Sequence, residues 1–419
     1  MKVIIKPSSI GGSVNAPSSK SSMQRAVAAA LLARGKSVLL NPSLANDSLA
    51  AMNMAECLGA VVRRMPGRVE IDGGLKPGCR TLDGGESGLA VRMFSAIASL
   101  CSDTIEISGS GTIMGRPMDM VVNTLRMLGA EVNSTGGKLP VTLKGPVRGG
   151  RAEVDGSVSS QFLTGLLVAL PLVEDDTELI VSSLKSKPYI DLTIEVLRNF
   201  GVEIVNQDYR KFYIRGGQKY TPCTYMVEED WSGIAFLAVA GALGRGISIE
   251  GVSATSLQAD RVITDILERA GAGVTFTNNS LKVAASVLHS FEADITDCPD
   301  LAPPLVALAS FCRGRSLIKG TSRLRAKESN RAETLCNEFS KLGVMIDSAA
   351  DSLTVTGTDT IKSAACTSHG DHRIAMAVAV AALHAEGEVE IANADAINKS
   401  YPEFFNNLGA LGADIEINN

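Results

Sequence analysis

A short segment that recurs six times at nearly constant spacing most constrains the fold of this chain. In each copy the expected end of a helix is followed by an apolar residue, a glycine, an Ala or Val, and then a strand. The glycines lie at positions 59, 129, 201, 271, 343 and 412, so successive copies are 69 to 72 residues apart. A glycine just past a helix suits a left-handed backbone. The spacing therefore predicts six similar units.

A second element recurs in step with the glycines, namely a very apolar helix followed by a short strand. Its first copy predicts a helix from about Met23 to Ala33. Each unit thus offers one buried helix, one amphipathic helix and several strands, an α/β (α+β) pattern. Six units exceed one ordinary core, so we expect two similar domains of three units each. The N-terminal strand completes the sixth unit, which predicts domains at 15–227 and at 1–14 plus 228–419.

Composition and charge exclude several classes of protein. Hydrophobic residues make up 45% of the chain and charged residues 20%, which is typical of a globular protein. A net charge of −5 provides no basic field for nucleic acid. No apolar run is long enough for a membrane span, and no apolar signal core follows Met1, so a cytoplasmic protein is expected. The eight scattered cysteines contain no C-x-x-C pair and indicate reduced thiols rather than a metal site.

The starts of the six apolar helices are more polar than a core helix requires. They lie at 18–21, 85–88, 159–161, 230–232, 297–300 and 371–373. Ser and Asp at these places are good N-caps, which is the structural explanation. N-caps do not explain Lys20, Arg25, Arg92 and Arg373, because cations are unfavourable near the positive end of a helix dipole unless an anion lies between them. The pattern therefore favours binding of a phosphate or carboxylate.

Four further segments place charge at element junctions. They contain Arg116 in 111–119, Ser186 and Tyr189 in 183–191, Lys327 with Glu328 and Arg331 in 323–333, and Lys399 in 398–404. Each of these taken singly is better explained as a solvated surface charge. Their recurrence at equivalent junctions favours one anionic site.

The segments that carry these residues resemble the signatures of a known family. SSKSSMQR (18–25), DGSVSSQFLTGLL (155–167), SKPYID (186–191), AKESNR (326–331) and DHRIAM (371–376) are similar to those of the 5-enolpyruvylshikimate-3-phosphate (EPSP) synthases, or 3-phosphoshikimate 1-carboxyvinyltransferases. The resemblance runs along the whole chain. It implies an inside-out α/β barrel in each of two hinged domains, with substrates in the cleft between them.

The resemblance also implies an activity and residue roles. The family transfers the enolpyruvyl group of phosphoenolpyruvate to the 5-hydroxyl of shikimate 3-phosphate in aromatic amino acid biosynthesis, without a cofactor or metal. The residues implied for shikimate 3-phosphate are Lys20, Ser21, Arg25, Ser159, Ser160, Gln161, Ser186, Tyr189, Asp300 and Lys327. Those implied for phosphoenolpyruvate are Lys20, Gly88, Arg92, Arg116, Gln161, Arg331, Arg373 and Lys399. The expected partners are these two small molecules, and the expected state is a monomer.

The reaction adds and then eliminates across a tetrahedral intermediate, so it needs groups that move protons. The resemblance implies Asp300 as the base at the hydroxyl, Glu328 as the proton donor to the methylene carbon, and Lys20 as an aid to proton transfer and phosphate departure. The simpler explanation of Asp300 is a helix N-cap. The cations beside Glu328 lower a carboxyl pKa, so a donor role requires desolvation to oppose them.

One segment departs from the family pattern. Glu86-Ser87-Gly88-Leu89 stands before Arg92 where many members have Asn-Ala-Gly-Thr. A carboxylate next to an anion site opposes binding unless a nearby cation pairs with it. We therefore expect Glu86 to weaken the affinity for phosphoenolpyruvate and to alter sensitivity to glyphosate.

Two alternatives remain at the level of sequence. The sister enzymes that use UDP-N-acetylglucosamine carry a cysteine in the loop equivalent to 112–117, and this chain has none there. A non-catalytic phosphate-binding protein on the same repeat is disfavoured by Asp300 and Glu328, since both acids oppose anion binding.

Overall fold

The computed structural model describes residues 1–157 and 159–418. The chain divides into two compact units at Pro17/Ser18 and Glu228/Glu229. The continuous unit is Ser18–Glu228, and the discontinuous unit is Met1–Pro17 with Glu229–Asn419. Each unit has its own hydrophobic core.

Helices and strands alternate along both units. The helices are α1 (Lys20–Leu32), α2 (Asn46–Cys57), α3 (Gly88–Ala98), α4 (Asp119–Met127), α5 (Gln161–Ala169), α6 (Pro188–Asn199), α7 (Trp231–Leu243), α8 (Ile263–Ala270), α9 (Ala302–Ala309), α10 (Arg331–Lys341), α11 (His372–Ala382) and α12 (Phe404–Ala410). The first twelve strands are β1 (Lys2–Lys6), β2 (Gly12–Asn15), β3 (Gly35–Leu40), β4 (Val61–Met65), β5 (Arg68–Gly73), β6 (Thr81–Asp83), β7 (Thr104–Ser108), β8 (Glu131–Thr135), β9 (Lys138–Lys144), β10 (Gly150–Asp155), β11 (Thr177–Ser182) and β12 (Val205–Gln207). The others are β13 (Lys211–Ile214), β14 (Thr224–Met226), β15 (Ile247–Glu250), β16 (Gly273–Thr277), β17 (Ser280–Ala284), β18 (Glu292–Asp294), β19 (Arg315–Lys319), β20 (Met345–Ser348), β21 (Ser352–Thr356), β22 (Ala365–Thr367), β23 (Val389–Ala392) and β24 (Asp414–Asn418).

The strands of the described residues form six four-stranded sheets with one shared pattern. In each sheet the first two strands are parallel, and the third is antiparallel to both of its neighbours. The orders are β14-β3-β5-β4, β6-β7-β9-β8, β10-β11-β13-β12, β2-β15-β17-β16, β18-β19-β21-β20 and β22-β23-β1-β24. The six-fold repeat predicted from the sequence is therefore a repeat of structure, and the predicted α/β fold is confirmed.

Strands from the chain ends complete two of these sheets. β1 pairs with β23 and β24, both antiparallel, so the N-terminal strand does complete the sixth unit. β2 pairs with β15 through Asn15 and Glu250, which places Asn15 in the discontinuous unit. β14 returns to pair with β3 in the continuous unit.

Some helices are buried along their whole length. Every residue of α3 and α11 is buried, as the apolar composition of these helices predicts. Two core helices of the continuous unit approach closely at Gly165 of α5, where an added Cβ would lie 2.8 Å from Cα of Met93 in α3. Only a glycine permits this approach, and it brings the starts of α3 and α5 together.

The six repeat glycines have the predicted backbone conformation. Their φ angles run from 80° to 110°, in the left-handed region that favours glycine. They follow α2, α4, α6, α8, α10 and α12, so each ends an outer helix and turns the chain into a strand.

Candidate active site

The first helix of the continuous unit begins earlier than the sequence suggested. α1 starts at Lys20 rather than near Met23, because the Ser19 side chain caps it by accepting a 3.2 Å hydrogen bond from the backbone N–H of Ser22. Lys20 therefore lies in the first turn. Its Nζ is 2.9 Å from Oδ2 of Asp47, in the first turn of α2, and both side chains are mostly buried. Nothing in the sequence pattern marked Asp47 as this partner.

Arg25 is held in place by α6, which begins within the 183–191 segment. It is 2% exposed, and its Nε donates to Oγ1 of Thr193 at 2.9 Å. Its two terminal nitrogens donate to the backbone oxygens of Ser21, at 2.7 Å, and Tyr189, at 3.3 Å. Burial lowers the pKa of Arg25 to about 10. The structure thus brings Ser21, Arg25 and Tyr189 together.

Ser186 lies at the turn that leads into α6. It is 5% exposed and has a positive φ of 56°, which is uncommon for a non-glycine residue. Its backbone oxygen accepts a 3.2 Å hydrogen bond from the N–H of Tyr189. A strained backbone of this kind persists where the surrounding structure holds it, often at a ligand site.

A second cluster lies where α3 and α5 begin. Arg92 is 3% exposed and donates from NH1 to Oε1 of Gln161 at 2.8 Å and from NH2 to the oxygen of Pro117 at 3.2 Å. A Cβ added at Gly88 would lie 3.1 to 3.3 Å from Arg92, Gln161 and Arg116, so these groups surround that glycine. Gly88, Arg92, Arg116 and Gln161 therefore form one cluster.

This second cluster has the electrostatic character of an anion site. Among the residues that the structure describes, Nε of Arg92 is buried without a hydrogen-bond partner. Burial, with a smaller contribution from the charge of Arg116, lowers the pKa of Arg92 to about 10. Two neighbouring guanidinium groups repel each other, and an anion between them removes that cost.

Two serines precede Gln161 at the start of α5. The backbone N–H of Gln161 donates to Oγ of Ser159 at 3.2 Å, and Ser160 is the N-cap residue and 5% exposed. Val158, in the same 155–167 motif, lies outside the described residues. Polar groups at a helix start beside a buried arginine suit a phosphate or carboxylate.

Glu86 lies against the loop that carries Arg116. A Cβ added at Gly111 would collide with the Glu86 carboxylate, and Gly111 opens the short 3₁₀ helix Gly111–Gly115 just before Arg116. Glu86 is half-buried. Its negative charge is therefore part of the surroundings of the Arg92 and Arg116 cluster.

The discontinuous unit holds its predicted residues in one ion network centred on Arg331. The Arg331 side chain is fully buried. It donates to Asp371 from Nε at 2.9 Å and from NH2 at 3.1 Å, and to Oδ1 of Asp300 from NH1 at 2.8 Å. NH2 also donates to Oε2 of Glu328. Burial opposes the charge on Arg331, but the three carboxylates together raise its pKa.

Three cations contact Asp300 in return. Oδ1 of Asp300 is 3.1 Å from Nζ of Lys327 and 2.8 Å from Arg331, and Oδ2 is 3.3 Å from NH2 of Arg373. These charges favour the ionised carboxylate, the form that can accept a proton. Burial lowers the pKa of Lys327, although the charge of Asp300 opposes this. The structure therefore groups Asp300, Lys327, Glu328, Arg331 and Arg373.

Lys399 joins this network through the backbone. Its Nζ donates to the oxygen of Gly370 at 2.6 Å, and Gly370 directly precedes Asp371. The same loop is tied to α10 by Glu338, which is 1% exposed and lies 2.7 Å from Nε2 of His369 and 3.0 Å from the N–H of Thr367. Glu338 of α10 thus holds in place the segment that orients Asp371 and Lys399.

Asp371 and Asp260 are the residues of this unit that the sequence did not mark as functional. Asp371 is fully buried, caps α11 and also accepts from Oγ of Ser329 at 3.1 Å. Asp260 is fully buried and accepts a hydrogen bond from Ser232. Burial and the charge of Asp300 raise the pKa of Asp260 to about 6. The acidic cap of the DHRIAM segment was a visible signal for Asp371, whereas Asp260 had none.

Comparisons with known proteins identify the family of this chain. A sequence model of EPSP synthase (3-phosphoshikimate 1-carboxyvinyltransferase) matches residues 4–408. A 3-phosphoshikimate 1-carboxyvinyltransferase of Methanocorpusculum labreanum is 37% identical over 99% of both chains. One of Clostridium kluyveri is 35% identical over 99% of this chain and 98% of its own.

Solved structures share the fold. EPSP synthase of Acinetobacter baumannii superposes over 100% of both chains with a TM-score of 0.86 at 24% identity. An enolpyruvyl transferase of Streptomyces tendae covers 99% of this chain and 98% of its own, with a TM-score of 0.82 at 18% identity. No helix in 1–157 or 159–418 has the length and apolarity to cross a bilayer. The resemblance that the motifs predicted is confirmed, and the chain belongs to the EPSP synthase family.

Proposed function

We propose that this chain is a 3-phosphoshikimate 1-carboxyvinyltransferase, which transfers the enolpyruvyl group of phosphoenolpyruvate to the 5-hydroxyl of shikimate 3-phosphate and releases phosphate. The observation that carries the proposal is that one chain has both the family membership and the charged groups that the reaction requires. A chain matched to EPSP synthases along nearly its whole length keeps buried arginines at helix starts and a carboxylate, Asp300, bonded to three cations.

The continuous unit supplies groups suited to both substrates. We assign Ser21, Arg25, Ser159, Ser160, Gln161, Ser186 and Tyr189 to shikimate 3-phosphate. Gly88, Arg92, Arg116 and Gln161 are assigned to phosphoenolpyruvate, and Lys20 to both. The buried guanidinium of Arg25 suits a phosphate, and the Nε of Arg92 that is unpartnered among the described residues can donate to a second anion.

The discontinuous unit supplies the groups that move protons. Asp300 takes the proton of the 5-hydroxyl as its oxygen attacks C2 of phosphoenolpyruvate, and Glu328 protonates the methylene carbon. In the second step the roles reverse: Glu328 takes a proton back from the methyl group as the double bond forms again, and phosphate departs with the proton held by Asp300 and with help from Lys20. Lys327 is assigned to shikimate 3-phosphate, and Arg331, Arg373 and Lys399 to phosphoenolpyruvate.

The ion network restricts two of these assignments. Four of the five Arg331 N–H groups already donate to carboxylates, so Arg331 can offer phosphoenolpyruvate more than one N–H only if a carboxylate such as Glu328 or Asp300 gives up its contact. The pairing of Glu328 with a buried arginine favours its ionised form, so protonation of Glu328 requires the same release. Substrate binding must therefore rearrange the network before the proton moves.

The test is phosphate release by the purified full chain. Phosphate should appear only when phosphoenolpyruvate and shikimate 3-phosphate are both present, with the enolpyruvyl ether of shikimate 3-phosphate identified by mass. Release with UDP-N-acetylglucosamine instead would assign the chain to the sister enzymes. Calorimetric binding of both substrates without turnover would indicate a non-catalytic binder. Its action as a cytoplasmic monomer stays a prediction.

The substitution Glu86→Asn should lower the KM for phosphoenolpyruvate. Glu86 places a half-buried negative charge beside the cluster of Arg92 and Arg116, and its removal should change KM by about two- to fivefold, the scale of a partly exposed charge pair. Steady-state kinetics at saturating shikimate 3-phosphate measures this, with Glu131→Gln, an exposed acid of β8, as the control. An unchanged or higher KM contradicts an opposing role for Glu86.

A further inference from the structure

Two cysteines of the continuous unit lie side by side although 21 residues separate them in the chain. Cys57 ends α2, and Cys79 lies in the loop between β5 and β6. The oxygen of Cys57 accepts from the N–H of Gly78 at 2.8 Å and from the N–H of Cys79 at 3.2 Å. The N–H of Lys76 donates to the oxygen of Leu58 at 2.8 Å, so this loop caps the end of the helix.

The two thiols also interact electrostatically. Burial, together with a hydrogen bond that the Cys57 thiol donates to Cys79, raises the pKa of Cys57 to about 11. A direct N–H···O=C bond of normal length places the Cα atoms of the two residues roughly 5–6.5 Å apart, which overlaps the range of roughly 4.4–6.8 Å found for disulfides. Both thiols are free in this structure.

The two thiols differ in access. Cys79 is exposed, and Cys57 is half-buried at the wall of a hollow of about 300 Å³. Asn53 and Met54 of α2, with Thr81 and Asp83 of β6, line the same hollow. A small reagent can therefore reach Cys79 from solvent and approach Cys57 through the hollow.

We propose that Cys57 and Cys79 form a reactive dithiol that low-molecular-weight disulfides convert into an intramolecular disulfide. The Cys79 thiolate attacks one sulfur of the reagent, whose other sulfur leaves as a thiol after taking a proton. Cys57 then loses its proton, attacks Sγ of Cys79 and expels the second half of the reagent. The two protein thiols are oxidised, and the reagent is reduced to two thiols.

The difference in exposure between Cys79 and Cys57 determines which thiol reacts first. An exposed thiolate attacks an external disulfide first, whereas a thiol whose ionisation is opposed by burial reacts when a partner is already in contact. The resulting cross-link would tie the end of α2 to the segment that leads through β6 to Gly88. It would close a loop of about 20 residues, which stabilises the folded state by restricting the unfolded chain.

Treatment of the full chain with excess oxidised glutathione tests the proposal. Non-reducing peptide mapping should find one cross-linked peptide pair containing Cys57 and Cys79, lighter by two hydrogen atoms than the sum of the free peptides. The Tm should rise by several degrees, and dithiothreitol should reverse both changes.

Variants distinguish Cys79, the thiol that reacts first with the reagent, from Cys57, the thiol that closes the disulfide. Cys57→Ser should leave glutathione attached to Cys79, while Cys79→Ser should slow the reaction of Cys57 by at least tenfold. Cys223→Ser, which removes a half-buried cysteine of the same unit, should leave the cross-link intact. The proposal is overturned if glutathione stays on both cysteines of the native chain, or if a different pair is joined. The mapping of the unaltered chain decides this even if a variant does not fold, and it does not depend on the proposed enzymatic activity.

Discussion

Replacement of Asp300 by asparagine is expected to lower kcat by about 10²–10⁴-fold, the contribution of a general base. Asparagine keeps the size of the side chain and one acceptor oxygen, but it cannot take the proton of the hydroxyl. It also leaves Lys327, Arg331 and Arg373 with less negative charge between them. The KM for shikimate 3-phosphate should change much less than kcat, because most groups assigned to this substrate lie in the continuous unit.

The measurement is steady-state phosphate release at saturating concentrations of both substrates. Asp347→Asn is a matched control, since Asp347 also pairs with an arginine, Arg315 at 2.7 Å, but both side chains are mostly exposed. The control should keep its kcat. A kcat within tenfold of the unaltered chain for Asp300→Asn, with the fold intact by circular dichroism, would remove Asp300 from the role of base.

Replacement of Asp371 by alanine should destabilise the discontinuous unit by about 3–5 kcal/mol, because it leaves Arg331 buried with one carboxylate fewer. Asp371 and Arg331 are fully buried and make two hydrogen bonds, at 2.9 and 3.1 Å. Alanine also removes the cap of α11. Asparagine retains an oxygen that can cap the helix, so Asp371→Asn should lose less stability than Asp371→Ala.

Urea unfolding followed by tryptophan emission measures this loss in the correct unit. The chain has one tryptophan, Trp231, which is 1% exposed and lies in α7 of the discontinuous unit. Asp347→Ala breaks an exposed ion pair of the same unit and should cost no more than about 1 kcal/mol. If Asp371→Ala and Asp347→Ala lowered the free energy of unfolding equally, the buried Arg331 network would contribute no more to stability than an exposed ion pair.

Local features of the fold followed from the sequence because their causes lie within a few residues. A glycine after a helix adopts a positive φ whatever surrounds it, and all six repeat glycines do so. The hairpins β4-β5 and β20-β21 begin within two residues of the repeat glycines Gly59 and Gly343. The start of α1 was misjudged by three residues, because the cap bond of Ser19 extends the helix through a polar segment.

The positions of the cations followed from the sequence, whereas their partners did not. Lys20 contacts Asp47, Arg25 contacts Thr193 and Arg331 contacts Asp371, across separations of 27, 168 and 40 residues. The sequence treated Arg331 as a cation open to ligand, but packing surrounds it with three carboxylates. The contact of Cys57 with Cys79 likewise depends on how one loop folds over the end of α2.

The sequence itself determined the repeat of about 70 residues, the polar residues near the helix starts and the family signatures, since each depends on spacing and local chemistry. The tertiary structure alone decided which charges meet. An ion pair depends on the packing of helices that are distant in the chain, and burial then fixes which protonation state each group favours. The balance of charge around Asp300 and Arg331 is therefore a property of the folded unit.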